Sequence, residues 1–108
     1  MHLGLIVETN DAGTVWNGFR LGITAVDEGH TVTAFLLGSG VEAPDLPAGD
    51  DVNPHGVIRK FDLEGGELLA CGTCMDHRDM EPDELRPRST MSDLLALIED
   101  ADEVVSIG

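Results

Sequence analysis

The chain alternates between short continuous apolar runs and longer stretches in which apolar residues recur every three or four positions. Leu3–Val7 is such a continuous run, the pattern of a strand covered on both faces. Thr9-Asn10-Asp11 then offers capping side chains. Beyond them Ala12, Val15, Trp16, Phe19, Ile23 and Val26 recur at helical spacing, and Gly29 stands where a left-handed C-cap would end the helix. Thr31–Leu37 is a second β-rich run, so residues 3–37 read as one βαβ unit with parallel strands.

The pattern breaks between Gly38 and Asp51, where Gly38-Ser39-Gly40, Pro44, Pro47, Gly49 and Asp50-Asp51 predict a long functional or mobile loop. Asn53-Pro54 then starts a short helix with Val57, Ile58 and Phe61 on its apolar stripe, ended by Gly65-Gly66. Glu67–Cys71 reads as a third strand. After a polar stretch with Pro82 and Pro87, Thr90 caps a helix whose apolar face is Met91, Leu94, Leu95 and Ile98, with Asp93 in the capping-box position. Glu103–Ile107 closes the chain as a fourth strand.

Strands alternating with helices, the strands being apolar throughout, predict a three-layer α/β fold around a mainly parallel sheet. With 108 residues this is one domain, residues 1–108. The expected strand order is 2-1-3-4, which sets the loop after strand one (Thr9–Gly13) beside the loop after strand three (Cys71–Cys74), at the point where ligands bind in such sheets.

Composition changes this picture in one respect. Asp and Glu number 21 against 6 Lys and Arg, a net charge of −15, and Lys60 is the only lysine. Phosphate contacts require cations, so nucleic acid and anionic membranes are poor partners. Disorder is excluded as well, because 42% of residues are hydrophobic and fall in ordered runs. The acids are spread along the whole chain, which we read as the surface of a halophilic protein: molar salt shortens the Debye length to about 3 Å and screens the self-repulsion. The N-terminus lacks the basic flank of a secretion signal and no run approaches the ~20 apolar residues of a membrane span, so a cytoplasmic location is expected.

In that reducing compartment, Cys71-Gly72-Thr73-Cys74 points to redox, sulfur or metal chemistry rather than a structural disulfide. Amides of Gly72 and Thr73 at a strand end, with Arg78 close in sequence, can stabilise a thiolate. The expected strand order brings Asn10 nearby, although Asn10 and Asp11 also read as helix caps. Four readings compete. Cys71, Cys74 and His77, with His55 as a fourth ligand, can be drawn as a zinc site, but His2, His30 and His55 are isolated singles rather than a second ligand pair. A dithiol redox protein has the right spacing, but its cysteine pair would come early in the fold, not after the third strand. Both cysteines can instead be small core residues, or the domain a non-catalytic oligomeric binding module. Gly38-Ser39-Gly40 lacks the lysine and spacing of a phosphate loop, and no cofactor is expected. Trp16 lies on the first helix's apolar stripe, as core or subunit interface.

The stretch Leu69-Ala70-Cys71-Gly72-Thr73-Cys74-Met75-Asp76, followed by Met91, an apolar helix and a terminal Val-Val strand, resembles the DsrE/DsrF-like family of small sulfur-relay proteins. It is most similar to the DsrE-like domain of YedF-type proteins, whose Ser-Gly-Val turn also matches Ser39-Gly40-Val41. The resemblance implies a flavodoxin-like fold, a homo-oligomer of three or six chains, a TusA-like carrier as exchange partner, and sulfurtransferase-like chemistry in which cysteine carries sulfur as a persulfide. Cys71 matches the family's sulfur-bearing position. Cys74 has no counterpart in members with a single cysteine, and two roles stay open for it: closing a disulfide that releases sulfide, or tuning the first thiol.

Overall fold

A computed structural model describes all of the chain, Met1–Gly108. Five strands, β1 (His2–Val7), β2 (Thr31–Leu36), β3 (Glu67–Cys71), β4 (Arg88–Ser89) and β5 (Glu103–Ile107), alternate with helices α1 (Ala12–Asp27), α2 (Pro54–Leu63), α3 (Gly72–Asp76) and α4 (Met91–Asp100). Three helices begin at the caps legible in the sequence. Asp11 accepts the Thr14 N–H at 3.0 Å and Asn53 the Gly56 N–H at 3.0 Å. Thr90 and Asp93 form a reciprocal capping box, with Asp93 N–H on Thr90 Oγ1 at 3.2 Å and Thr90 N–H on Asp93 Oδ2 at 2.7 Å. Gly29, with φ at +91°, ends the first helix as expected, and Gly65, at +106°, follows the second.

All sheet pairings are parallel, with Leu5 opposite both Ala34 and Val105 and Phe35 opposite Leu69. Alternation divides the sheet into two faces. Leu3, Leu5 and Val7, with Val32, Ala34, Leu36, Leu68 and Ala70, face α1 and α2 and are buried with Phe19, Ile58 and Phe61. The two helices lock edge-to-face through Phe19 and Phe61, whose ring centroids lie 5.3 Å apart, a contact that contributes about 1 kcal/mol beyond area burial. Gly22 allows this closeness: a Cβ there would stand 3.0 Å from Phe61 and 3.1 Å from Leu5. Helix α4 covers the opposite face, where Gly4 makes room for Leu97.

Two expectations are corrected. The strand order is β4-β3-β2-β1-β5, not 2-1-3-4: β2 sits between β1 and β3, and the terminal strand lies on the far side of β1. The order reverses between β1 and β5, so the cysteine loop is at the carboxyl edge of the sheet but not at its switch point. Helix α4 also presents a different face. It buries Leu94 and Leu97, while Met91, Leu95 and Ile98 remain exposed. A single helix over a wide sheet face offers only a narrow contact, and the wide apolar stripe in the sequence exceeds it.

The segment after β2 is more ordered than a loop. Gly38–Asp45 forms a 3₁₀ helix with Val41 and Ala43 fully buried. Its glycines and Pro44 hide it from a periodicity reading, and tertiary contacts hold it instead. The Arg86 guanidinium, almost fully buried, donates to the Val41 carbonyl at 3.2 Å and to Asp45 and Asp83 carboxylates at 2.6 Å each. Gly40 packs so tightly on the end of β1 that a Cβ would overlap the Val7 carbonyl oxygen. The other element missed in the sequence is β4, two residues pairing with the end of β3.

Candidate functional site

Strand β3 delivers Cys71 to the edge of the sheet, opposite Ser89 of β4. Ser89 anchors that end, accepting the Ala70 N–H on Oγ at 3.2 Å and donating its hydroxyl to the Pro87 carbonyl at 3.0 Å. The chain then turns directly into α3, and Cys71 serves as the residue before its first turn: its sulfur accepts the Cys74 N–H at 3.3 Å. The single turn returns Cys74 over Cys71, with the two sulfurs 2.8 Å apart and Cys74 S–H directed at Cys71 Sγ. Both thiols are free. Cys71 is 4% exposed, whereas Cys74 is partly open to solvent.

The corrected strand order brings a different loop to this pair. Gly38, just after β2, donates its N–H to Cys74 Sγ at 3.2 Å. Cys71 Sγ therefore accepts two donors, and Cys74 Sγ accepts one and donates one. Burial, and then the hydrogen bond to Cys71, push the Cys74 thiol above the ordinary thiol range, and the Gly38 N–H offsets this only in part. Cys74 therefore holds its proton more firmly than an ordinary thiol.

Two guanidinium groups flank the thiols. Arg78 donates from Nε to Glu42 at 2.9 Å and from its fork to the Cys74 carbonyl at 3.1 Å, so it braces the turn's backbone and not a sulfur. Arg88 lies on the other side, forked onto Asp76 by two bonds of 2.8 Å, with a longer contact of 3.4 Å to the Gly72 carbonyl. That hydrogen bonding holds the Asp76 carboxyl below the usual carboxylate range. Gly72 makes the seat: a Cβ would lie 2.8 Å from the Arg88 guanidinium carbon. Arg88 was not singled out in the sequence. The only available signal was the β-pairing of Arg88-Ser89 with the cysteine end, which two residues are too short to reveal.

Of the remaining sequence candidates, Gly72 is buried within the turn and Thr73 is exposed on it. Asn10 is exposed at the end of β1, and β2 separates that strand from Cys71, so the expected adjacency does not form. Asp11 is a helix cap. His77 closes α3, and His55 turns its Nδ1 to the Pro44 carbonyl at 2.9 Å. No three His, Cys, Asp or Glu side chains converge as ligands. The largest cleft, about 630 Å³, lies between α1 and α2 and has neither cysteine in its lining. Trp16 and Lys60 line it, along with Arg20, whose guanidinium stacks 4.3 Å over the Trp16 ring.

Residues 1–107 match the DsrE/DsrF-like family. The chain is a member of that family. It is 30% identical over 100 residues to an uncharacterized protein of Methanocaldococcus jannaschii, covering 84% of each chain. The crystal structure of the YchN protein from E. coli superposes with a TM-score of 0.83, covering 98% of this chain and 99% of that one at 20% identity, which shows a shared fold. The family is generally associated with sulfur relay, and no helix of this member is long and apolar enough to cross a membrane.

Proposed function

We propose that this DsrE-like domain takes up sulfane sulfur on Cys71 as a persulfide. The observation that carries the reading is the pair of free thiols at the end of β3, with two donors converging on Cys71 Sγ. The chemistry is thiolate attack: Cys71 sulfur bonds the outer sulfur of a donor persulfide, the donor's sulfur–sulfur bond breaks, and its thiolate departs. Hydrogen bonds to Cys71 Sγ stabilise the attacking anion, and the two paired arginines hold the turn that supplies them. A Cys74→Ser chain treated with glutathione persulfide gains about 32 Da, one sulfur, on the peptide carrying Cys71. A gain that persists in Cys71→Ser overturns the reading.

The same proposal has the chain work in the cytoplasm as a homo-oligomer. Met91, Leu95 and Ile98 form an exposed apolar stripe on α4, bordered by Glu99. The α1–α2 cleft, which has Arg20 and Lys60 and no acidic residue in its lining, complements that charge, and we assign the stripe to the cleft of a second copy. Leu95→Asp lowers the solution mass in sedimentation at molar salt, and an unchanged mass counts against this surface.

A further inference from the structure

Cys74 has no place in simple carriage, yet its sulfur is the nearest reactive group to Cys71. We propose that Cys74 unloads the Cys71 persulfide inside the molecule, releasing the carried sulfur as hydrosulfide and leaving a Cys71–Cys74 disulfide. The inference rests on the loading reading above and names how the load leaves.

The geometry supports each part. An acceptor thiol in solution must first find the site by diffusion, whereas the Cys74 sulfur already stands 2.8 Å from Cys71 Sγ. Closing that gap to a bond of about 2.05 Å needs less than an ångström of movement, which the free rotation of two side chains supplies. Groups held this way react as if present at about 10⁵ M or more, ahead of any thiol free in solution. The Gly38 N–H on Cys74 Sγ favours the developing thiolate there.

The step balances. The Cys74 sulfur bonds Cys71 Sγ, the bond between Cys71 Sγ and the outer sulfur breaks, and the electron pair leaves with that outer sulfur. The Cys74 proton goes with it, so the product is HS⁻. The outer sulfur is reduced to sulfide while the two cysteines are oxidised to a disulfide. An external dithiol restores the pair by thiol–disulfide exchange and opens the site to another load. The pair is thus a gate: dithiol accepts sulfur, disulfide refuses it.

The test loads the reduced chain with one equivalent of glutathione persulfide, removes the donor, and follows intact mass and free sulfide without reductant. In the wild-type chain the expected product is about 2 Da lighter than the starting protein, with nearly one sulfide released per chain, and dithiothreitol restores the original mass. Cys74→Ser, and Cys74→Ala as a second variant, hold the sulfur on Cys71 and release sulfide at least about tenfold more slowly. A wild-type chain that keeps its sulfur as long as Cys74→Ser does overturns the inference while leaving loading intact. A Cys74→Ser chain that gains no sulfur, or collects glutathione in place of it, overturns the loading reading instead.

Discussion

At the carboxyl end of β1 the protein is filled in, and at the carboxyl end of β3 it is not. Beside β1, Ile107 occupies the space over Gly18 so fully that a Cβ there would lie 2.7 Å from it, Thr9 packs on Gly108, and Glu8 N–H pairs with the Ile107 carbonyl at 2.9 Å. This is the point where strand order reverses and where open α/β sheets ordinarily bind ligands. At β3 the chain instead stacks two free thiols, with backbone N–H groups aimed at their sulfurs. The difference teaches that topology opens a crevice only if side chains leave it open, and that chemistry follows the reactive atoms.

The two regions are joined by Gly40, which touches the end of β1 while its neighbour Gly38 reaches Cys74. Gly40→Ala drives a methyl into the Val7 carbonyl, where rigid backbone must move, and the expected loss is about 3 kcal/mol or more in urea unfolding. Cys74 alkylation should quicken alongside it. An unfolding midpoint equal to wild type would show that the two ends are independent.

Arg86→Met comes next. It removes a buried fork that ties the 3₁₀ helix to the loop before β4, but its partners Asp45 and Asp83 are 61% and 47% exposed and rehydrate easily. The expected cost is therefore nearer 2 kcal/mol, roughly, than that of a fully buried pair.

Acid acts on both regions at once. Side-chain and backbone hydrogen bonds from Thr14 lower Asp11 at the β1 end, and the Arg88 hydrogen bonds lower Asp76 at the thiol end. A carboxyl depressed in the folded state stabilises it above the unfolded value, and that stability is lost as pH falls through the folded value. Melting temperature should decline below the usual carboxylate range, and Asp76→Asn should remove the thiol end's share of that decline while leaving Asp11's in place.

Smaller still is the coupling between the thiols. Cys71→Ser removes one cause of the raised Cys74 thiol but leaves burial, the larger one, so iodoacetamide should modify Cys74 only about two- to threefold faster near neutral pH. Asn10→Ala should do least. It sits across β2 from Cys71, and both sulfur uptake and stability should stay within about 0.5 kcal/mol of wild type. A large loss of uptake in Asn10→Ala would reconnect the two ends.

The strands β1, β2, β3 and β5 and the three long helices were legible because each is a local pattern: apolar runs, helical spacing, and caps such as Asp11, Asn53 and Thr90 that satisfy backbone groups within three residues. Cys71-Gly72-Thr73-Cys74 was legible for the same reason, since one turn suffices to bring the sulfurs together, and so was the family. The 3₁₀ helix, β4, the exposed face of α4 and the seat of Arg88 were not. Three of these depend on a partner remote in sequence, Arg86 on Val41, Arg88 on Asp76 and Ser89 on Cys71, and the face of α4 on how much of the sheet one helix can cover.

The sequence alone therefore determined the four longer strands, the three long helices with their caps and the cysteine pair, because those follow from interactions within a few residues. Only the tertiary structure decided which loops meet. Placing β2 between β1 and β3 took Asn10 away from the thiols and brought Gly38 to them, since the order of strands in a sheet is settled by long-range burial that no local spacing encodes.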